Sequence, residues 1–88
     1  MKAREGFILR NLVGEHLLMP VGANIKTFQG VIRMNELSVF VWNHLRTDTS
    51  RQNLLSAILD EYDIDEATAA ADLDEILSKM IACNLLEV

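Results

Sequence analysis

Two runs of helical periodicity fill residues 50–83, and each is preceded by a residue suited to start a helix. Two short amphipathic helices in tandem are marginal alone in water, so the rest of the chain must offer them an apolar surface. Ser50 is the N-cap that sets Leu54, Leu55, Ile58, Leu59 and Tyr62 on one stripe, predicting a helix over 51–61. Asp65 caps the next helix, 66–83, with Ile64 placed to staple against Ala69 and with Asp65 and Glu66 favouring its positive end. Its stripe is Ala69, Leu73, Ile76, Leu77, Met80 and Ile81. Asn84 follows as a left-handed C-cap, and Leu85-Leu86 read as an apolar clip that folds back.

Upstream, residues 7–13 and 16–21 are short apolar runs, read as a hairpin with Gly14 at the first turn position. Pro20 has no N–H for a ladder and belongs at a strand end or edge. Residues 22–30 show no period and read as a loop or irregular strand, and residues 31–34 as a third strand. Asn35 is an N-cap for a helix over 36–46, with Leu37, Phe40, Val41, His44 and Leu45 on one face and Val39 and Trp42 widening it. Trp42 is expected in the core and His44 at a hydrogen-bonded or solvent edge. The order of elements predicts an α+β fold: a single winged helix-turn-helix-like domain over 1–88, with a three-stranded antiparallel sheet followed by three helices.

With 88 residues the chain has room for one modest core and no deep catalytic cleft. The single cysteine, Cys83, forms no internal disulfide and is expected as a small buried hydrophobe, in keeping with a reducing cytoplasm. Arg10, Asn11, Glu15 and His16 interrupt the first apolar run, so no export segment is expected, and no window reaches the ~18 apolar residues that span a bilayer. A cytoplasmic protein with no membrane association is the expectation.

Nothing in the residues supports catalysis. The two histidines are isolated, serines and threonines fall at caps and turns, and no phosphate-binding glycine loop or CxxC run occurs. No cofactor or metal is expected. A calcium loop starting at Asp63 would need glycine where Thr68 stands and glutamate where Asp74 stands. DNA binding is a more serious alternative, because the last two helices have the order of a helix-turn-helix. The helix that would enter the groove carries Glu66, Asp72, Asp74 and Glu75 against Lys79 alone, the wrong sign for phosphate. The whole chain is divided the same way. Residues 1–33 hold five basic against two acidic residues, and residues 34–88 hold three against eleven. No nucleic-acid partner is expected.

A peptide-binding module remains. The strand at 31–34 offers a backbone edge to an added strand, the last helix an apolar wall, and Arg33 with the basic first third suits a peptide carrying Glu or Asp. The run MNELSVFVWNHL, then S-x-x-x-L-L-x-x-I at 50–58, EYDID, and D-L-x-x-I-L-x-x-M-x-x-x-N-L-L at 72–86 resembles the PqqD family of pyrroloquinoline quinone biosynthesis and related peptide-modification pathways. The resemblance is close over residues 30–88 and loose over the hairpin. Asn53 and Asn84 depart from the acid and the glycine usual at those places. The resemblance implies a non-catalytic recognition element that binds the leader of a ribosomally made precursor peptide, for a radical SAM or other modifying enzyme. It implies a strand edge at Gly30, Val31, Ile32, Arg33 and Met34. It also implies third-helix contacts at Ala69, Asp72, Leu73, Ile76 and Met80. Leu73, Ile76 and Met80 are core candidates first, and Asp72 reads equally as a solvated helix residue. On this reading, proline at Ile32 abolishes leader binding without unfolding the domain. A DNA-binding regulator, or a structural subunit, for instance a homodimer, is the alternative.

Overall fold

The computed structural model describes residues 1–28 and 30–87, apart from the side chain of Thr27, so Gln29 of the expected loop lies outside the described residues. Residues 4–40 form one compact unit, and residues 1–3 with 41–88 form another.

In residues 4–40, β2 (Phe7–Leu12), β3 (Glu15–Pro20) and β4 (Ile32–Met34) make an antiparallel sheet in the order β2-β3-β4. Leu12 pairs with Glu15 across a two-residue turn. Val13 and Gly14 both take positive φ, 52° and 79°, so the turn is type I′ with Val13 first, where Gly14 was expected to lead. The primed turn matches strand twist. It leaves a β-branched residue in a disfavoured conformation at a fully exposed tip. Pro20 ends β3 opposite Phe7, at a strand end as its missing donor requires. Pairing puts Leu18, Ile32 and Met34 on one face of the sheet and Leu17 and Arg33 on the other. Leu18 is fully buried and Met34 nearly so, which marks the core face.

The expected loop contains one helical turn, α1 (Asn24–Thr27), too short to show a period. Asn24 anchors it by donating from Nδ2 to the carbonyls of Glu5 and Gly6, at 3.1 and 3.2 Å. Gly6 has φ +94°, and any Cβ there would collide with the Asn24 amide, so only glycine fits. Phe28 meets Phe7 edge to face at 5.2 Å between centroids. The helix α2 (Glu36–His44) starts where Asn35 Oδ1 accepts from the Ser38 N–H at 2.8 Å, and it ends in the second unit with Val41 and Trp42 buried.

In residues 1–3 and 41–88, two short strands absent from the sequence reading appear. β1 (Lys2–Ala3) pairs antiparallel with β5 (Leu86–Glu87), and the Ala3 N–H donates to the Leu45 carbonyl at 2.7 Å. Two residues carry no periodic signal, and only the partner reveals them. The helices α3 (Arg51–Glu61) and α4 (Glu66–Ala82) start at the expected caps. Ser50 accepts from the Asn53 N–H, and Asp65 accepts from both the N–H and the hydroxyl of Thr68. They pack on each other. Leu54, Ile58, Leu73 and Leu45 are essentially fully buried, and each such side chain contributes about 1.5–3 kcal/mol of burial.

Two expectations at the end of α4 are corrected. Ile81 is half exposed, because at ~100° per residue it falls ~40° outside the arc that buries Ile76, Met80, Leu73 and Leu77. Cys83 is exposed, since the helix ends at Ala82 and Cys83 is its C-cap. Asn84 then takes φ 58°, its N–H donating to Ile81 and that of Leu85 to Met80, both at 2.9 Å. That is a Schellman ending, and it turns Leu85 and Leu86 into the core in place of Cys83.

The Arg51 guanidinium binds the Asp74 carboxylate through two contacts, Nε–Oδ1 at 2.6 Å and Nη2–Oδ2 at 3.0 Å, tying the start of α3 to the middle of α4. The Arg51 hydrogen bond holds Asp74 below the usual aspartate value of 3.8, and the bonds from Thr68 do the same for Asp65. A depressed folded pKa contributes stability that is complete above the unfolded value and is lost as pH falls through the folded one. Urea unfolding followed from pH 6 to pH 2.5 should therefore show Asp74→Asn less stable than wild type at the upper end, with the gap closing below about pH 4.

Candidate functional site

The outer edge of β4 is the feature that invites a ligand. β4 pairs with β3 on one side, and among the described residues no strand pairs with it on the other. Hydrogen-bonded and non-bonded pairs alternate along an antiparallel ladder. The tight turn makes Leu12 and Glu15 a bonded pair, so Arg10 with Leu17 and Ile8 with Met19 are bonded too. Beyond Phe7 and Pro20, the Val21 N–H donates to the Gly6 carbonyl at 2.8 Å, as this alternation requires. The remaining β3 residues, His16 and Leu18, therefore point their backbone groups at β4, where their partners are Met34 and Ile32. Arg33, opposite Leu17, is left with its N–H and C=O directed outward.

Arg33 thus presents both backbone groups to an incoming strand. Its side chain is 79% exposed on the face opposite Leu18, and its nearest carboxylate is Glu15, at 3.6 Å across the sheet. Flanking it, Gly30 is exposed with φ +85° and Val31 is half exposed. Ile32 is half-buried and Met34 buried on the core face. An open depression of about 330 Å³ lies at the Met34 end of the strand, lined by Gly14, Glu15, His16, Arg33, Met34, Asn35 and Glu36. Its lining mixes both signs of charge. Among the described residues no three of His, Cys, Asp and Glu converge as a metal site.

The structure places the expected α4 residues unevenly. Ala69, Leu73, Ile76 and Met80 are all buried, while Asp72 is partly open to solvent. The four apolar residues are buried, as expected for Leu73, Ile76 and Met80, and Asp72 is the accessible member. The face of α4 turned to solvent is acidic. Asp74 is taken by Arg51, and Lys79, the helix's one cation, lies 3.3 Å from Glu75, leaving Glu66 and Asp72. A major-groove role for such a helix meets repulsion from every phosphate. Among the described residues no helix is long and apolar enough to cross a membrane.

The sequence reading missed which strand residue owns the free edge. It put the vulnerable donor at Ile32, but the Ile32 N–H faces β3. The two-residue turn shows which β3 residues face β4, but the pairing of Leu17 with Arg33 across the long β3–β4 connection has no local signal in the sequence.

The family model for coenzyme PQQ synthesis protein D (PqqD) matches residues 15–86, and the chain belongs to this family. A search of curated proteins gives no match. Two solved structures share the fold. The structure of TbiB1 in complex with the TbiA(beta) leader peptide has a TM-score of 0.74 at 21% identity, covering 99% of this chain and 95% of that one. Lasso peptide synthetase B1 complexed with the leader peptide has a TM-score of 0.71 at 12% identity, covering 96% and 93%. Likeness at these identities establishes the fold.

The edge assignment separates two proline substitutions that sequence alone would rank together. Ile32→Pro removes a donor from the β3–β4 ladder and should lower the thermal midpoint by several degrees, whereas Arg33→Pro removes an outward donor and should shift it little. Thermal melts by circular dichroism check the order. An equal loss in both variants would contradict the assignment.

Proposed function

We propose that this protein binds the leader segment of a ribosomally made precursor peptide by adding it as a strand to the outer edge of β4, and so presents the precursor to a modifying enzyme such as a radical SAM protein. The observation that carries the reading is the outer edge of β4, which no strand pairs among the described residues and toward which Arg33 directs its N–H and C=O. Membership of the PqqD family supports it, as do two proteins of the same fold whose structures hold leader peptides. Strand addition draws affinity from main-chain hydrogen bonds and selectivity from alternate side chains, and it asks for no catalytic group in the binding protein. The role is that of a non-catalytic recognition element.

Gly30, Val31, Ile32, Arg33 and Met34 are proposed as the edge. On the family resemblance, Ala69, Asp72, Leu73, Ile76 and Met80 of α4 are the second contact set. Because the four apolar members are buried, truncating any of them disturbs the fold as well as the peptide, so Asp72 is the informative position in that set. Winged-helix DNA binding is the runner-up by topology alone, and the acidic face of α4 opposes it.

The test uses synthetic leader segments from the short reading frames that flank the gene, titrated against the protein by calorimetry. One of them should bind the wild type, and Arg33→Pro should weaken it about tenfold or more, the worth of one lost strand hydrogen bond and its neighbours. Unchanged affinity in a folded Arg33→Pro variant would contradict strand addition at this edge.

A further inference from the structure

We infer that the peptide strand carries an aspartate or glutamate at the position directly opposite Arg33, and that Glu15 holds the Arg33 guanidinium until that acid displaces it. The inference rests on the strand-addition reading and adds the register and the chemistry of the bound segment. Because Arg33 alone among Ile32–Met34 has both backbone groups turned outward, an added strand registers on it. In an antiparallel addition, the residue exchanging both hydrogen bonds with Arg33 has its Cα ~5.5 Å away and its side chain on the same face of the sheet as the guanidinium.

The charges of that face select an acid. The pairing places Arg10, Leu17 and Arg33 in one row across the three strands, so two cations lie on the face the incoming side chain shares. Among the described strand residues Glu15 is the one acid on the same face, and its contact with Arg33, at 3.6 Å between exposed groups, is long and weak. A carboxylate on the added strand stands directly opposite Arg33, whereas Glu15 is only its diagonal neighbour, Leu17 being the residue across the ladder. A lysine or arginine at that position would face a like charge, which cross-strand pairs disfavour. The residues on either side of the acid fall on the face of Ile32 and Met34, where Ile32 is half-buried and Met34 buried, and apolar side chains suit them. The segment that fits is therefore an alternating apolar–acidic–apolar strand.

The experiment selects a displayed library of random peptides on the wild type, on Arg33→Glu and on Arg33→Gln. Wild type should enrich Asp or Glu at one fixed position between apolar residues, and Arg33→Glu should replace it there with Lys or Arg. The wild-type consensus peptide should bind Arg33→Gln about two- to fivefold more weakly, and Glu15→Gln should bind it more tightly by a similar factor. Enriched peptides without a fixed acid, or the same acid enriched on Arg33→Glu, would overturn this inference and leave strand addition standing. A library from which no peptide is enriched on any of the three proteins would overturn strand addition itself.

Discussion

The two-residue turn at Val13-Gly14 fixes what each backbone group of the sheet does. By making Leu12 and Glu15 a bonded pair, it sets the parity of the β2–β3 ladder and so which β3 residues face β4; the pairing of Leu17 with Arg33 then turns the Arg33 N–H and C=O outward. One residue more in the turn would exchange the roles of Ile32 and Arg33. It would put the fully buried Leu18 on the solvent face and direct the ladder donors out to the edge. The turn's left-handed valine is therefore a local cost that the register sustains.

Much of this molecule is legible in its sequence, for reasons that differ by element. The caps at Asn35, Ser50 and Asp65 and the C-terminal Asn84 were readable because each satisfies an orphan helix-end group within a few residues of itself. The core face of α4 was readable because seventeen helical residues give its stripe time to repeat. What escaped were features set by partners distant in sequence. The β1–β5 pair joins two-residue segments from opposite ends of the chain, and α1 is one turn held by Asn24 reaching back to Glu5 and Gly6. Ile81 and Cys83 were misplaced because a stripe shows which residues are apolar but not where its buried arc stops.

The candidate site divides along the same line. A short strand was readable here from its apolar residues, though it runs over Ile32–Met34 and leaves Val31 outside; which residue faces outward depends on the pairing register, and that moves the sensitive position from Ile32 to Arg33. On α4, the apolar candidates proved to be core, as helical spacing implied, and the acids that argued against DNA in the sequence still do so on the folded helix. Its one cation has a carboxylate neighbour, and one of its acids is committed to Arg51. Fold and charge thus point different ways on nucleic acid and the same way on peptide: the chain has the order of a helix-turn-helix, and the outer edge of β4, like that of β2, has no strand partner among the described residues.

Amide hydrogen exchange at β4, read by NMR with and without a bound leader peptide, tests the central claim most directly. The account predicts that Ile32 and Met34 are protected in the free protein by their bonds to β3, that Arg33 exchanges freely, and that peptide binding protects Arg33 selectively. Saturating peptide that leaves the Arg33 amide exchanging as in the free protein would contradict strand addition at β4.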